Sequence, residues 1–409
     1  MKFVLLVACA LSAFAQTPAR AVVYASSGPD LTQYQVDPAG PALIKGRTIR
    51  LPANVQYAWP HPSRKYFYIV WSDGGASAAA PGATAVPAGN VHGLGAFRID
   101  PRSGALEAIG QPARLPSRPI HVSVDSDGTH VLAAYNDPSG LTVHSINTDG
   151  TIGAMVNQSS GLDTGIYAHQ IRVGPSGRTA FLVTRGNAAT SIKAEDRGAV
   201  KVFSYANGVL KNLGSIAPNG GMDFQPRHLD FHPTKPWVYV SLEHQSKLQL
   251  YQLRNDGSLD PMPLFTKDSL ADSSHKAQRQ NAGTLHVHPN GKFVYQANRA
   301  AIPGATGRNV DGGGENSIAV YSINQQSGEP TRIQNVKTRG GEPRTFALDT
   351  SGRILVAANQ TAIYDGPALI PASLALFRVR EDGLLDFVRT YDVDTKGGSL
   401  FWMGIISLP

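Results

Sequence analysis

Residues 225–243 read QPRHLDFHPTKPWVYVSLE, and this stretch decides the fold of the chain. Its two apolar and aromatic runs, LDF and WVYVSL, predict two β-strands. Between them, the HPTKP segment at residues 232–236 predicts a turn, with prolines where no strand ladder needs an amide donor. The stretch therefore predicts an antiparallel hairpin with polar residues at its open end.

The same hairpin recurs along the chain. Turn signatures begin at positions 61, 125, 174, 232, 288 and 349, with spacings of 64, 49, 58, 56 and 61 residues. Each is preceded by a short apolar strand and followed by a strand rich in Tyr, Val or Phe, then by a third and a fourth strand. Four antiparallel strands in each unit of about 50–60 residues are typical of a β-propeller blade. Loop insertions are predicted mainly after the second strand of a blade, at residues 74–90, 186–198, 300–316 and 361–371, and we expect them to crowd one face of the disc.

The two ends of the chain predict a seventh blade. AVVYASS at residues 21–27 and LTQYQVD at 31–37 resemble a second and a third strand with no first strand before them. GGSLFWMGI at 397–405 aligns with GGEPRTFAL at 340–348, which is a first strand. We therefore predict an all-β, seven-bladed β-propeller over residues 21–409, closed by the C-terminal strand so that no sheet edge is left free.

Composition limits the partners of the chain. Charged residues make up only 16% of it, and 42 Gly with 28 Pro indicate many short strands and turns. The formal net charge is +7, but the basic residues are scattered, so we expect no nucleic-acid binding. An excess of arginine facing a small anionic molecule is the better interpretation. The oligomeric state is left open.

Residues 1–15 predict a signal peptide. Lys2 precedes a mostly apolar run, and Ala13 and Ala15 form an A-x-A site, so we expect cleavage after Ala15 and a secreted or periplasmic protein. Cys9, the one cysteine, ends a Leu-Val-Ala-Cys box that leaves lipidation open. No later run approaches the ~20 apolar residues of a membrane span.

Polar residues recur at one level of each hairpin. They form pairs sixteen residues apart, which we expect to face each other and to converge from several blades on one mouth of the central channel. The pairs are Gln56/Ser72, Ile120/Asn136, His169/Arg185, Arg227/Glu243, Gly283/Arg299 and Arg344/Gln360. Histidines of the His-Pro turns, His61, His232 and His288, lie at the opposite end and are expected to be structural.

Neither a metal nor a serine nucleophile is predicted. His121, His169, His228 and His286 recur near first strands, but no His/carboxylate cluster has close ligand spacing. A Gly-x-Ser-x-Gly motif is absent. We expect no metal and no cofactor.

The units QPRHLDFHP…WVYVSLE, HVHPNGKFVYQANR, GGEPRTFALDTSGRILVAANQ and HVSVDSDGTHVLAAYN resemble the seven-bladed lactonase family. That family includes bacterial 6-phosphogluconolactonase and fungal carboxy-cis,cis-muconate cyclase. The resemblance implies that the catalytic residues are His169, Glu243, Arg227 and Arg299. Substrate-binding candidates share the same level or adjoin it: Arg344, Arg185, His228, Asn298, Gln360 and His121.

The resemblance implies metal-independent hydrolysis, or formation, of a small anionic sugar lactone or carboxylated lactone. Either Glu243 or His169 would be the general base, while arginines would stabilise the oxyanion. Two departures stand out, since Ile166-Tyr167-Ala168-His169 replaces a Pro-His-x-His motif and Trp71-Ser72-Asp73 stands where Asn-Glu is usual. A cyclase of the carboxymuconate type and a non-catalytic binding propeller of the cell envelope are the alternatives.

Overall fold

The computed structural model describes residues 20–37, 40–75, 87–274, 276–277, 279–303, 309–310 and 312–408. Apart from a short 3₁₀ turn at Pro218–Gly221, the regular structure of these residues is β-strand. Within these ranges, no helix has the length and apolar character needed to cross a membrane. The predicted signal peptide with Cys9, and residues 76–86 of one predicted loop insertion, lie outside the described residues.

Seven sheets of four antiparallel strands follow one another along the chain. Blade 1 contains β1 (Ala21–Ser27), β2 (Asp30–Asp37), β3 (Ala42–Arg50) and β32 (Met403–Ser407). Blade 2 contains β4 (Asn54–Pro60), β5 (Tyr66–Ser72), β6 (His92–Ile99) and β7 (Leu106–Arg114). Blade 3 contains β8 (Pro119–Val124), β9 (His130–Asn136), β10 (Ser139–Ile146) and β11 (Ile152–Met155).

The remaining blades are built in the same way. Blade 4 contains β12 (Ala168–Val173), β13 (Thr179–Thr184), β14 (Ala199–Ala206) and β15 (Val209–Ile216). Blade 5 contains β16 (Pro226–Phe231), β17 (Trp237–Leu242), β18 (Lys247–Gln252) and β19 (Phe265–Asp268). Blade 6 contains β20 (Asn281–Val287), β21 (Phe293–Arg299), β24 (Ser317–Ile323) and β25 (Pro330–Lys337). Blade 7 contains β26 (Gly341–Leu348), β27 (Ile354–Thr361), β30 (Ser373–Val379) and β31 (Leu385–Asp392).

The first strands of the blades form a closed ring. Each contacts the next around the centre, in the order β32, β4, β8, β12, β16, β20 and β26, and β26 contacts β32 again. β32 pairs with β1 from Met403↔Ala25 to Ser407↔Ala21, so the C-terminal strand is the innermost strand of the N-terminal blade. Apolar side chains pack between neighbouring sheets, for example Val183 of blade 4 with Val238 of blade 5. The predicted all-β, seven-bladed propeller is confirmed.

Two of the predicted insertions pair with each other. β22 (Ile302–Pro303) and β23 (Asn309–Val310) follow β21, while β28 (Ile363–Asp365) and β29 (Ala368–Ile370) follow β27. The four strands form one small sheet, joined across the two blades by the parallel pair Val310↔Tyr364. This rim sheet links blades 6 and 7 outside the ring of first strands.

Histidines of the His-Pro turns join neighbouring blades. The His232 Nδ1 accepts from the amides of Thr234 and Lys235, so its Nε2 is the donor to the Gly291 carbonyl in the next blade, at 2.8 Å. The same bond connects His61 to Gly128 at 2.9 Å and His288 to Gly352 at 2.9 Å. The geometry agrees with the structural role that the sequence predicts for them.

Each first strand of blades 2 to 7 contains one residue more than the strand it pairs with. In blade 5, Pro226 pairs with Leu242 and His228 with Ser241, which leaves Arg227 as the extra residue. An extra residue is left out of the ladder, and it bends the strand and turns its side chain. The unpaired residues at this level include Gln56, Ile120, His169, Arg227 and Arg344.

The predicted pairing of residues sixteen apart is wrong by two positions. The Glu243 amide donates to the Gln225 carbonyl at 3.0 Å, eighteen residues away, and Arg299 pairs with Asn281 in the same way. The turn contributes one residue of this offset, because Phe231 pairs with Val238 rather than Tyr239. The bulge at Arg227 contributes the second, and sequence alone gives no sign of it.

Three histidines of the first strands stack along the centre of the ring. His121, His169 and His228 are 0%, 5% and 2% exposed. The His228 ring centroid lies 5.1 Å from that of His169 and 6.2 Å from that of His121. Burial lowers the pKa of all three well below the usual value; Arg227 reinforces this at His169 and His228, and Arg172 at His121. All three are therefore neutral imidazoles near neutral pH.

Replacing His232 with Ala tests the bonds between blades. His232 is 3% exposed, and its loss leaves a buried carbonyl and two turn amides without their partners. We expect the free energy of unfolding to fall by about 1–3 kcal/mol, measured by urea unfolding. His61→Ala is the matched control, because the same bond lies at a more exposed turn and its loss should be smaller. Equal losses in the two variants would contradict the role of burial.

Stability should fall as the medium is acidified. Below the unfolded pKa of about 6.5, the unfolded chain takes up protons that the neutral histidines in the native hub do not. The contribution of these histidines to the free energy of unfolding is therefore present in full above this pH. It decreases as the pH falls below this value, by ~1.4 kcal/mol per pH unit for each such histidine.

Unfolding curves of the wild type and of His121→Gln/His228→Gln between pH 7.5 and 5 measure this effect. The double variant should show a shallower loss of stability on acidification. Parallel slopes for the two proteins would contradict the assignment.

Candidate active site

Glu243 collects three arginines from three neighbouring blades. Its Oε1 lies 2.5 Å from Nη2 of Arg299, and its Oε2 lies 3.3 Å from Nη1 of Arg185 and 3.6 Å from Nε of Arg227. The carboxylate follows β17 directly, while Arg185 follows β13 and Arg299 ends β21. Second strands of blades 4, 5 and 6 therefore end together at this point, and the bulge of β16 adds Arg227.

These charges keep Glu243 ionised. Burial alone would raise the pKa of this carboxyl, since the residue is only 4% exposed, but Arg185, Arg227 and Arg299 together hold it well below its usual value. Among the arginines, burial lowers the pKa of Arg227 to about 10, and the positive charge of Arg299 lowers it further. The cluster is a carboxylate with three guanidinium ions.

A cavity of about 1020 Å³ opens over this cluster. Glu243, Arg185 and Arg299 line it, together with Tyr167 and Glu342. Part of its wall comes from the loop at residues 186–198, through positions 187–190 and 193, and so from one of the predicted insertions. Further basic side chains line the cavity: Lys193, Lys276 and Arg279. A volume of this size accommodates a small organic molecule, and the lining favours a negatively charged one.

His169 lies beside this cavity rather than on its lining. It is the extra residue of β12, it is 5% exposed, and its ring packs against His228. Its Nδ1 has no hydrogen-bond partner among the described residues. Of the four predicted catalytic residues, the structure brings Glu243, Arg227 and Arg299 into direct contact and places His169 near Arg227 in the buried layer.

Of the six predicted substrate-binding residues, one is part of the cavity lining. Arg185 lines the cavity, whereas Arg344, 7% exposed, packs its guanidinium 3.6 Å from the Phe401 ring centroid. His121 and His228 belong to the buried histidine layer, and their ring nitrogens have no partner among the described residues.

Asn298 and Gln360 are not part of the cavity lining. Asn298 is fully buried; its amide donates to the Ser269 carbonyl and the Ser317 hydroxyl, and its oxygen accepts from the Ser269 hydroxyl. These bonds join Asn298 to β24 of its own blade and to the segment that follows β19 of blade 5, which is a structural role. The Gln360 side-chain oxygen has no partner among the described residues.

Three residues of the mouth were missed from the sequence. Glu342 binds Arg299 with its Oε1 3.1 Å from Nη1, the Tyr167 ring lies 4.0 Å from the Arg185 guanidinium carbon, and Arg118 is a buried arginine immediately before β8. All three lie two residues before the bulged position of a first strand. A charged residue two positions before the bulge could have indicated Arg118 and Glu342, but the sequence does not show where the bulge lies.

Metal ligation has no evident place in this site. Among the residues that the structure describes, no group of three His, Cys, Asp or Glu side chains could hold a metal ion. The groups present can bind an anion and stabilise an oxyanion through guanidinium donors, and Glu243 and the neutral imidazole of His169 can accept a proton.

Known proteins share both the sequence and the architecture. The family model "Lactonase, 7-bladed beta-propeller" matches residues 21–363. A 6-phosphogluconolactonase of Bacillus subtilis (strain 168) is 30% identical over 275 residues, covering 66% of this chain and 70% of the relative. Another from Pectobacterium carotovorum is 26% identical over 271 residues, covering 64% and 70%.

Among solved structures, the periplasmic gluconolactonase PpgL of Pseudomonas aeruginosa superposes with a TM-score of 0.69 at 21% identity, covering 95% of this chain and 99% of that one. At this identity the likeness bears on the fold alone, whereas the family match rests on the sequence itself. With its seven four-stranded blades and the family match over most of its length, the chain belongs to the seven-bladed β-propeller lactonase family.

Proposed function

We propose that this lactonase hydrolyses a small anionic lactone, either a sugar lactone or a carboxylated lactone, without a metal ion. The observation that carries the proposal is the ionised Glu243 held between Arg185, Arg227 and Arg299 at a cavity of molecular size. The related 6-phosphogluconolactonases support this class of reaction and substrate. The cationic lining favours a substrate that already carries a negative charge.

Hydrolysis would run through an oxyanion. A water oxygen adds to the lactone carbonyl carbon, and the ring C–O bond then breaks to leave a hydroxyl group and a carboxylate. Arg185 and Arg299, which line the cavity, stabilise the negative charge on the carbonyl oxygen, and Arg227 supports it from below. Such donors act strongly because they are fixed in place and shielded from bulk water.

Glu243 is our choice for the group that takes the proton from water, since it lines the cavity and is ionised. Its three arginines weaken it as a base in the free protein. When a substrate anion binds Arg185 and Arg299, these arginines stabilise the Glu243 carboxylate less, and the proton affinity of Glu243 rises. His169, neutral and one layer deeper, is the second candidate for this role.

Two other activities remain as alternatives. A lactonising enzyme of the carboxymuconate type would use the same arginines on a tricarboxylate. A non-catalytic binding propeller would be expected to expose a broad apolar patch, but large exposed apolar side chains such as Ile44, Met155 and Met262 come from separate blades. Incubation with a panel of aldonolactones and muconolactones, followed by pH-stat titration, distinguishes catalysis from binding alone. Identification of the product as a hydroxy acid or as an unsaturated acid then distinguishes hydrolysis from reversed lactonisation.

Glu243→Gln tests the base. The change keeps the size and one acceptor of the side chain but removes its charge, so kcat on the best lactone of the panel should fall by about 10²–10⁴. A thermal melt confirms folding of the variant, and Glu107→Gln, at an exposed carboxylate beside Arg98, is the matched control. Full kcat in Glu243→Gln, with a loss in His169→Gln, would transfer the role to His169.

We also propose that residues 1–15 are a cleaved leader, which puts the mature protein outside the cytoplasm. The charged start, the apolar run and the A-x-A site of the sequence support it. Intact mass of the exported protein should match a chain beginning at Gln16, and Cys9→Ser should be processed identically. A lipid-modified chain beginning at Cys9 would contradict cleavage after Ala15.

A further inference from the structure

Two arginines on the other side of the mouth enclose one aromatic ring. Arg344 in β26 and Arg118 before β8 place their guanidinium carbons 3.6 and 5.5 Å from the Phe401 ring centroid. They are 7% and 6% exposed. Blades 7 and 3 supply the arginines, and the segment that leads into β32 of blade 1 supplies the ring. We call this group of three residues the Phe401 clamp.

The clamp has cations but no carboxylate. No Asp or Glu of the described residues lies at ion-pair distance from Arg118 or Arg344, whereas Arg185, Arg227 and Arg299 share Glu243. Arg344 donates through Nη1 to the Phe401 carbonyl at 3.1 Å. Nε and Nη1 of Arg118 are buried without a hydrogen-bond partner among the described residues. Buried guanidinium donors without an acceptor are unfavourable, and a carboxylate satisfies them with matched geometry.

The clamp adjoins the cavity. Pro119 pairs with Tyr135, so Arg118 stands opposite the next residue, Asn136, which lines the cavity, and Arg344 follows the cavity-lining Glu342 by two residues on β26. Burial lowers the pKa of Arg344, and Arg227, Arg299 and Arg118 add to this effect in that order. The guanidinium groups of the clamp and of the Glu243 cluster therefore sense one another's charge across one mouth.

We propose that the Phe401 clamp is an anion subsite that binds the product carboxylate after it has moved away from Arg185 and Arg299, where the lactone carbonyl reacts. This inference rests on the proposed function for the identity of the anion. Hydrolysis of a neutral lactone group by water gives one hydroxyl, one carboxylate and one proton, so a new negative charge arises at the mouth. The arginines around Glu243 already share a carboxylate, whereas Arg118 and Arg344 do not.

If the clamp binds a carboxylate, a substitution in it should weaken binding of the product and leave binding of an uncharged lactone unchanged. An uncharged sugar lactone such as D-glucono-δ-lactone carries no carboxylate for the clamp, whereas its product gluconate does. Arg118→Met keeps an unbranched apolar stem but removes the guanidinium and its donors. The matched control is Arg178→Met, at an exposed arginine in the turn between β12 and β13.

Inhibition by gluconate and direct gluconate binding by calorimetry are measured for wild type and both variants. In Arg118→Met, the inhibition constant and the Kd for gluconate should rise at least tenfold, while KM for the uncharged lactone changes less than threefold. Arg178→Met should match the wild type in all three. Unchanged gluconate affinity in Arg118→Met, or equal losses of lactone and gluconate affinity, would overturn the subsite.

An acetate titration distinguishes the sources of the anion. If acetate competes with gluconate in the wild type and not in Arg118→Met, the clamp accepts any small carboxylate from solution. If gluconate alone binds, the occupant is the product and the rest of its chain contributes. Should neither bind the wild type, the proposal fails.

The calorimetric measurement of gluconate binding tests the subsite even if the protein hydrolyses no lactone. A failure of the subsite proposal and a failure of the proposed function are therefore distinguishable. Arg118→Lys provides a second variant if Arg118→Met does not fold. Lysine keeps the charge but has no planar pair of donors, so an intermediate gluconate affinity is expected and a wild-type affinity would contradict the clamp.

Discussion

The centre of this propeller depends on one shared carboxylate. Glu243 neutralises part of the charge of Arg185, Arg227 and Arg299, which approach it from three blades and which would otherwise be buried cations repelling one another. Removing one partner of a buried ion pair leaves an uncompensated charge, which is far more unfavourable than the pair itself. Here the loss of Glu243 would leave Arg185 and Arg227 as such charges, while Arg299 would keep its pair with Glu342. The carboxylate therefore holds blades 4, 5 and 6 together at the same point where it forms the floor of the cavity.

The conformation of the backbone brings these side chains to one point. In a flat ladder, successive residues of a first strand alternate between the two faces of their sheet, and the faces of a blade are buried against its neighbours. The extra residue in the first strands of blades 2 to 7 interrupts this alternation at one level and frees side chains such as His169, Arg227 and Arg344 for the mouth. Bonds such as His232 to Gly291 fix the angle between neighbouring blades at the opposite end of the hairpins. The site is thus a product of a repeated irregularity within a regular ring.

This division explains what the sequence could and could not predict. Strands, turns and the number of blades follow from local patterns of apolar residues, Gly and Pro, and they were predicted correctly. Glu243, Arg227 and Arg299 were singled out because charged residues at the ends of apolar strands stand out, and the structure brings these three into contact. The register was wrong by two positions, because the turn and a bulge each change the pairing by one residue without any characteristic side chain, and this hid Arg118 and Glu342. Asn298 shows the converse limit, because it was predicted to bind substrate, whereas its amide is engaged in bonds to Ser269, directly after β19 of blade 5.

The charge of the mouth has a consequence for any reaction that creates an anion there. Arg118, Arg185, Arg227, Arg299 and Arg344 approach it, and among the described residues only Glu243 and Glu342 stand at ion-pair distance from any of them. The buried histidines add no charge, since they are held neutral. Such a mouth stabilises a state more negative than a neutral lactone group, and it does so for the oxyanion of the transition state and for the carboxylate of the product alike. Fast ring opening and tight product binding then have the same electrostatic origin. A mouth in which the arginines around Glu243 stabilise the oxyanion, and a separate clamp receives the carboxylate, allows the two affinities to be adjusted independently.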